Sequence, residues 1–294
     1  MDIFWTNAII FKNKIPYNYF IAKKISPNGI HIFYTTIGNY ALCLYSIYSE
    51  LLNETRNLES FKCKFGENIS INFFKNEFLF INDFIVKEME ENNNELKNNF
   101  NLNQGYGQLI NFNKKDIKFH TIKKGWKSSL SYGVVLSSLS RAYYLTNNEI
   151  YKEKAILLLK GYQDSSFKST IFGNVFYEEY PTPKGNYVLN GFIFSLIGLY
   201  DVSNILNNNT AKKLFDNGIK TLENILPLYD LGDGSSYDLQ HIHTHTPPIK
   251  ARWQYHCTHI EQLKTMYFIT KKKIFKTYYE RFKQYLLGNY TMML

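Results

Sequence analysis

The residue types best suited to proton transfer are concentrated in one stretch of this chain, residues 228–259. Five of the seven histidines lie there, together with several phenols and carboxyls and one guanidinium. Phenol, imidazole and carboxyl groups remove and deliver protons, and a nearby cation stabilises the anions that such transfers create. The stretch therefore predicts a site for acid–base chemistry.

The end of this stretch has helical spacing. If a helix starts near Ala251, four polar residues occupy positions i, i+3, i+4 and i+7 and share one face. These residues are Arg252, Tyr255, His256 and His259. A cation, a phenol and two imidazoles would then project from the same side of the first two turns.

The elements that position this face are predicted to be helical hairpins. Apolar periodicity predicts helices over 38–52 and 71–91 and three later pairs, 127–145 with 150–162, 189–206 with 211–226, and 251–270 with 274–287. The first helices of the three pairs start at a regular spacing of about 62 residues, which indicates an internal repeat. Repeated hairpins with one buried stripe each must stack side by side. The predicted fold is mainly α, an incomplete (α/α) toroid.

The remaining segments are predicted to be peripheral. Residues 1–35 form an irregular, β-prone N-terminal segment, and 36–294 form the toroid domain. The Asn-rich stretch 92–104 is predicted to be an exposed linker, and 105–121 a small β-hairpin. Within the predicted helix 127–145, Arg141 is expected to tie helices together, and the following Thr146 and Asn147 offer a cap.

Two long connections, 163–188 and 227–250, separate the predicted pairs. Loops of this length are uncommon in a compact domain unless they are functional. In a toroid, the connections from each outer helix to the next inner helix emerge on one rim. That rim would gather Glu179, Tyr180, Tyr237 and the start of the helix that carries Tyr255.

Composition limits the partners and the location. The net charge of +9 and pI near 9.1 favour an anionic partner. The lysines are scattered rather than aligned, which argues against nucleic acid. Three widely spaced cysteines indicate no disulfide framework, and no signal peptide or membrane anchor is visible. A cytoplasmic location is expected, with secretion left open.

Other chemistries receive little support. The chain shows no Ser-His-Asp order, phosphate loop or dinucleotide fingerprint, so carbohydrate is the favoured substrate class. The alternating His241, His243 and His245 could bind a metal, but no carboxylate partner is fixed by the sequence. An exposed polar loop is the favoured interpretation, and neither a metal nor another cofactor is expected.

Three blocks, in order, resemble the C-terminal domain of the heparosan D-glucuronyl C5-epimerases. They are GWKSSLSYGVVLSSLSRAYYLT (125–146), EEYPTPKGNYVLNGFIFSLIGLYD (178–201), and LPLYDLGDGSSYDL (226–239) followed by ARWQYHCTHIEQL (251–263). The resemblance covers roughly residues 105–290. It implies a toroid enzyme that inverts C5 of a uronic acid within an acidic polysaccharide, by removing a proton from one face and delivering another to the opposite face.

The resemblance also implies site residues. The family's critical tyrosines fall on Tyr180, Tyr237 and Tyr255, and its neighbouring carboxylate falls on Glu179. Tyr255 and Glu179 are the expected proton-transfer pair, with Tyr180 and Tyr237 as hydrogen-bonding partners. The expected substrate contacts are Arg252, Asn190, His256, Trp126 and Gln240. Arg252 would stabilise the phenolate of Tyr255 or clamp the substrate carboxylate.

The chain departs from the family pattern at Gln240, where YDLRH has arginine, at Gln254, where RWDYH has aspartate, and at Tyr132. The substrate polymer is therefore left open. A toroid polysaccharide lyase and a noncatalytic polysaccharide-binding homologue are the alternatives. The expected partner is a uronic-acid polysaccharide, not nucleic acid or membrane, and a homodimer is left open.

Overall fold

The fold is taken from a computed structural model of the chain. It describes residues 6–21, 29–65, 69–106, 118–164, 166–244 and 246–290. The part of the predicted 105–121 hairpin between residues 107 and 117 lies outside the described residues, as does His245.

The described chain is dominated by helices. Their bounds are α1 Tyr34–Leu52, α2 Glu59–Phe65, α3 Ile71–Glu91, α4 Ser129–Thr146, α5 Glu149–Gln163, α6 Leu189–Ile205, α7 Asn209–Ile225, α8 His241–Thr244, α9 Trp253–Thr270 and α10 Lys273–Leu286. The three predicted later hairpins are confirmed as α4/α5, α6/α7 and α9/α10. Their first helices start at residues 129, 189 and 253.

Short antiparallel strands accompany the helices. They are β1 Thr6–Lys12, β2 Ile15–Ile21, β3 Gly29–His31, β4 Leu102–Tyr106, β5 Lys118–Ile122, β6 Lys168–Ile171 and β7 Asn174–Tyr177. The first three form one sheet in the order β1-β2-β3, so the N-terminal segment is more regular than predicted. The β4/β5 and β6/β7 pairs are separate two-stranded sheets.

The helices form an incomplete toroid with an inner and an outer layer, as predicted. The inner helix α4 packs against α1, α5 and α6, and α6 packs against α7 and α9. Helix α4 is buried nearly all round, because it lies between neighbours on several sides. The outer helices α7 and α10 each bury a single stripe, which suits a helix with one face in solvent.

The first turns of the inner helices lie on the same rim. The hydroxyl of Thr35 in α1 lies 2.8 Å from that of Ser131 in α4. The N–H of Leu189, at the start of α6, donates to the carbonyl of Tyr237 at 3.2 Å, and the N–H of Ala251, just before α9, donates to the carbonyl of Ser235 in the same loop at 2.8 Å. The loops that precede these helices therefore converge, which is the topological condition that a rim site requires.

The α4–α6 interface is close and polar in places. A side chain on Gly198 would collide with the backbone of Gly133, so the two helices cross at their glycines. Arg141 of α4 pairs with Asp201 of α6, and the hydroxyl of Ser137 also donates to Asp201, at 2.6 Å. The predicted structural role of Arg141 is thus seen directly.

Helix α4 ends at a left-handed C-cap, Asn147, one of the two residues predicted to offer a cap. Asn147 has φ of 53°, and its N–H donates to the carbonyl of Tyr143 at 2.7 Å. Asn148 then caps the start of α5 by accepting from the N–H of Ile150 at 3.2 Å. None of the helices in the described ranges is both long and apolar enough to cross a bilayer.

The prediction that 92–104 is an exposed linker is wrong. Leu96, Asn98 and Phe100 are buried, and Asn98 exchanges backbone contacts with Trp126, including an N–H···O bond of 2.9 Å. The abundant asparagines suggested solvent exposure. Alternating residues in this segment instead pack under the rim, where Phe100 contacts the Trp126 ring.

Candidate active site

The segment that follows strand β7 carries Glu178, Glu179 and Tyr180 onto the rim. The N–H of Ser129, the first residue of α4, donates to the carbonyl of Glu178 at 3.0 Å. The N–H of Glu178 donates to the carbonyl of Phe167 at 2.7 Å. The backbone before Glu179 and Tyr180 is therefore fixed from both sides.

The loop that carries Tyr237 is fixed in the same way. The N–H of Tyr237 donates to the carbonyl of Ile249 at 2.7 Å, and its carbonyl accepts from the N–H of Leu189 at 3.2 Å. The first contact ties the loop to the segment entering α9. The second ties it to the start of α6, so Tyr237 lies between two helix N-termini.

Tyr255 lies in the first turn of α9, and its ring meets that of Tyr237 edge to face with centroids 4.9 Å apart. The phenol of Tyr180 interacts with both the Glu179 carboxyl and the Tyr237 hydroxyl. The Tyr180 ring also lies 6.1 Å from the ring of Trp126. The structure thus brings together three phenols and a carboxyl from three separate segments of the chain.

The carboxyl of Glu179 is held in an environment that favours its protonated form. Burial raises the pKa of Glu179 to about 7, the neighbouring Glu178 acts in the same direction, and the Tyr180 phenol opposes both. The Oε2 atom is buried without a hydrogen-bond partner and lies against Gly191. Such a carboxyl can both accept and release a proton near neutral pH.

The three phenols differ in their electrostatic surroundings. Burial, followed by the Glu179 carboxyl, holds the pKa of Tyr180 and of Tyr237 well above its ordinary value. Burial and Glu179 also raise the pKa of Tyr255, but the guanidinium of Arg252 acts in the opposite direction. A cation thus lowers the cost of a phenolate at Tyr255.

Arg252 is the N-cap residue of α9 and is exposed. It forms no ion pair within the described ranges of the chain. The next residue, Trp253, exposes 68% of its surface, although large aromatic residues usually bury most of theirs. The guanidinium of Arg252, without an ion pair among the described residues, and the exposed indole of Trp253 are therefore neighbours at the N-terminus of α9.

Two other expected substrate contacts are already engaged within the protein. Trp126 is 6% exposed, and its Nε1 donates to the carbonyl of Phe100 at 3.0 Å. His256 is buried, with Nε2 2.9 Å from the carbonyl of Phe282 and Nδ1 2.8 Å from the hydroxyl of Ser235. Their polar atoms face protein groups, so this geometry does not offer them to a substrate.

Gln240 is also turned inward. Its Nε2 donates to Oδ2 of Asp238 at 2.9 Å, and its backbone N–H donates to Oδ1 at 3.3 Å. Burial raises the pKa of Asp238 to about 7, the Glu178 carboxyl acts in the same direction, and the two hydrogen bonds from Gln240 lower it. The Oε1 atom of Gln240 remains buried without a partner.

Asn190 lies in the first turn of α6, 5% exposed, and its Oδ1 has no partner. The next residue, Gly191, makes room for Glu179. A Cβ on Gly191 would lie 2.6 Å from Oε2 of Glu179 and 2.7 Å from its Cβ. The carboxyl can occupy its position only because residue 191 has no side chain.

The histidine-rich loop is described only in part, because His245 lies outside the described residues. His241 and His243 lie in the four-residue helix α8, and burial lowers the pKa of His241. No cluster of three or more His, Cys, Asp or Glu side chains suited to a metal ion occurs among the described residues.

Sequence reasoning missed three residues that shape the site, namely Ser235, Gly191 and Trp253. A glycine in the first turn of a helix is a weak signal of close packing, and this signal could have found Gly191. The type of Ser235 carries no comparable signal. For Trp253 the sequence favoured a buried core position over a sugar platform, because tryptophan is mostly buried in folded proteins, and the structure instead exposes it in the first turn of α9.

Comparison with known proteins matches residues 103–284 to the family model described as the D-glucuronyl C5-epimerase C-terminus. The chain is 39% identical over 180 residues to the D-glucuronyl C5-epimerase of Caenorhabditis elegans, covering 56% of this chain and 29% of the worm protein. It is 28% identical over 179 residues to Uncharacterized protein MJ1128 of Methanocaldococcus jannaschii, covering 58% of this chain and 55% of that protein.

A solved structure, the selenomethionine derivative of the GH76 alpha-mannanase BT2949 of Bacteroides thetaiotaomicron, aligns with a TM-score of 0.48 and 13% identity. The alignment covers 87% of this chain and 61% of that chain. The chain spans less than a third of the worm enzyme and about half of the archaeal protein. The family model matches more than half of this chain, across the blocks that carry the three tyrosines and the carboxyl, and the chain belongs to the D-glucuronyl C5-epimerase C-terminal family.

Proposed function

We propose that this protein is an epimerase that inverts C5 of a hexuronic acid residue within an acidic polysaccharide, of the D-glucuronate to L-iduronate type. The observation that carries the proposal is the cluster formed by Glu179, Tyr180, Tyr237 and Tyr255 on one rim of the toroid. Family membership supports the same reaction class.

The reaction breaks one C5–H bond and forms another on the opposite face of the sugar. In one direction, Glu179 as carboxylate removes the C5 proton, and Tyr255 as phenol delivers its proton to the other face. In the reverse direction, the phenolate of Tyr255 is the base and the protonated Glu179 is the acid. In each direction Glu179 and Tyr255 together hold one proton before and after the reaction. Turnover therefore converts the form with the proton on Tyr255 into the form with the proton on Glu179, and the reverse.

The difficult step is removal of the C5 proton, because negative charge then develops beside the substrate's carboxylate. Tyr180 and Tyr237 keep their protons at neutral pH because their pKa values are raised, so they can donate hydrogen bonds to the developing enolate. One well-placed donor contributes about 3 to 4 kcal/mol in comparable sites. A positioned acid or base adds ~10²- to 10⁴-fold in rate.

The polymer is proposed to approach along the exposed start of α9. Arg252, which forms no ion pair among the described residues, supplies a cation for a uronate carboxylate, and Trp253 supplies an exposed aromatic face for a sugar ring. The overall charge of +9 favours an anionic chain in the same way. Asn190 is kept as a proposed substrate contact through its Oδ1 atom, which has no hydrogen-bond partner. Trp126, His256 and Gln240 are assigned supporting roles. Self-association and cellular location remain predictions.

The test is incubation of candidate uronate polymers with the protein in D₂O, followed by NMR and size analysis. Deuterium at C5 with an unchanged chain length is the expected result. Shortened chains with the ultraviolet absorbance of an unsaturated uronate would instead identify a lyase. Binding without isotope exchange, unaffected by Tyr255→Phe, would identify a noncatalytic polysaccharide-binding protein.

A further inference from the structure

A buried serine connects the loop of Tyr237 to the helix of Tyr255. Ser235 is fully buried, and its carbonyl accepts from the N–H of Ala251 at 2.8 Å. Its own N–H lies 3.2 Å from Nδ1 of His256, and its hydroxyl lies 2.8 Å from that same atom. The hydroxyl also lies 2.8 Å from Nδ1 of His259.

The protons in this network can be assigned from its geometry. Nε2 of His256 faces the carbonyl of Phe282 at 2.9 Å, and a carbonyl only accepts, so Nε2 carries the proton. Nδ1 of His256 is therefore an acceptor when the ring is neutral, and the Ser235 hydroxyl donates to it. The hydroxyl oxygen must then accept from Nδ1–H of His259, which leaves Nε2 of His259 unprotonated and without a partner.

Both rings are held neutral. Burial lowers the pKa of His259 to about 3, with His256 acting in the same direction, and burial also lowers the pKa of His256. The neutral form of each imidazole is therefore favoured. Their contribution is directional, because each ring presents one fixed donor and one fixed acceptor.

The network lies where the two phenols meet. Tyr237 follows Ser235 by two residues, and Tyr255 immediately precedes His256. The far side of the loop is also anchored, since Asp230 accepts from Arg281 at 2.9 Å and from the Tyr285 hydroxyl at 2.7 Å. The network thus links the backbone of the Tyr237 loop to the first two turns of α9 through side-chain hydrogen bonds.

We propose that Ser235, with His256 and His259, is a positioning unit that sets the separation of the Tyr237 and Tyr255 phenols. The inference rests on the proposed function for its kinetic consequence but not for its structural one. A misplacement of reacting groups by about 1 Å can cost on the order of 10²-fold in rate. Loss of the unit therefore lowers kcat while leaving the exposed polymer contacts, and hence KM, nearly unchanged.

The test compares Ser235→Ala, His259→Leu and His259→Asn with wild type. Asparagine places an amide N–H near the position of Nδ1–H, so His259→Asn should preserve the donor to Ser235, whereas His259→Leu removes it. Ser138→Ala is the matched control, because Ser138 is also fully buried and donates to Asn82 at 2.8 Å, away from the rim.

Two readouts are needed. The nuclear Overhauser effect between the ring protons of Tyr237 and Tyr255 measures their separation without any substrate. Epimerase assays give kcat and KM. We expect Ser235→Ala and His259→Leu to weaken the ring contact and to lower kcat on the order of 10- to 100-fold, with KM within about twofold. His259→Asn should restore most of both, and Ser138→Ala should change neither.

An unchanged ring contact in Ser235→Ala and His259→Leu would overturn the inference, as would equal losses in His259→Asn and His259→Leu. If Ser235→Ala does not fold, the two His259 variants decide the matter. If wild type lacks epimerase activity, the proposed function fails, but the ring contact still reports on the positioning unit.

Discussion

The edge of one tyrosine ring meets the face of another in this site, with the centroids of Tyr237 and Tyr255 4.9 Å apart and their planes inclined by 69°. Tyr237 comes from a loop and Tyr255 from a helix, and each is held by its own backbone contacts. The cation of Arg252 acts only on the second ring, so the two phenols are electrostatically distinct.

Tyr255→Phe is expected to lower C5 isotope exchange by ~10²-fold or more, because the ring contact is kept while the transferable proton is lost. Tyr267→Phe, a phenol-to-phenyl change on the same helix but three turns away, is the control and should retain activity. The measurement is deuterium incorporation at C5 by NMR. Equal activity in the two variants would remove Tyr255 from the reaction.

The rate should depend on pH through Glu179. The active pair holds one proton in either direction of reaction, so activity requires that Glu179 and Tyr255 are not both protonated. Since burial raises the pKa of Glu179 to about 7, kcat/KM should fall as the pH is lowered through about 7. No loss on the alkaline side is expected until the phenol ionises, above its ordinary pKa of 10.0.

Glu178→Gln provides the control for that pH profile. Removing the charge of Glu178 removes one cause of the raised pKa of Glu179, so the acid limb should move to lower pH without disappearing. Glu179→Gln should abolish exchange at every pH. In wild type, an acid limb near pH 4.5 would show that the pKa of Glu179 is not raised, and the absence of an acid limb would show that a different group controls the reaction.

The sequence predicted the toroid because its hairpins repeat and each buries one stripe, a pattern that local periodicity records. It also predicted that Glu179, Tyr180 and Tyr237 share a rim, because topology alone gathers the long connections there. It did not predict the inward orientation of Gln240, Trp126 and His256. Their roles depend on which neighbour supplies a hydrogen-bond partner, and no spacing rule contains that information.

Gly191→Ala tests how Glu179 is placed. The added Cβ would lie 2.6 Å from Oε2 and 2.7 Å from Cβ of Glu179, so the carboxyl segment must move. We expect at least about a tenfold loss of kcat, since misplacement on this scale is costly. Gly198→Ala would clash with Gly133 at the α4–α6 crossing, away from Glu179. It should mainly lower the melting temperature, with a small effect on kcat below the melting transition.

Trp253 is expected to act on polymer affinity, and Arg252 on both affinity and chemistry, because its cation also lowers the pKa of Tyr255. Trp253→Ala should raise KM by a few-fold to about tenfold, the range of single aromatic contacts. Arg252→Gln should raise KM by a few-fold and reduce its dependence on salt, because an exposed charge contributes mainly screened attraction. Lys276→Gln on α10 removes the same charge elsewhere and is the control. Unchanged salt dependence in Arg252→Gln would exclude this residue from the polymer path.

The stability of the fold should carry its own pH signature through Glu178. This carboxyl is buried, with Oε2 accepting from the N–H groups of Asn186 and Tyr187 at 3.2 and 3.0 Å, and burial raises its pKa from 4.5 to about 7. The folded state therefore binds more protons than the unfolded state between these pH values, so this group's contribution to stability is present below pH 4.5 and is lost as the pH rises through about 7.

Glu178→Gln keeps an acceptor for both N–H groups and cannot ionise. We expect its melting temperature to fall less than that of wild type between pH 5 and 7.5, measured by circular dichroism. Parallel melting curves against pH would show that Glu178 does not titrate in this range.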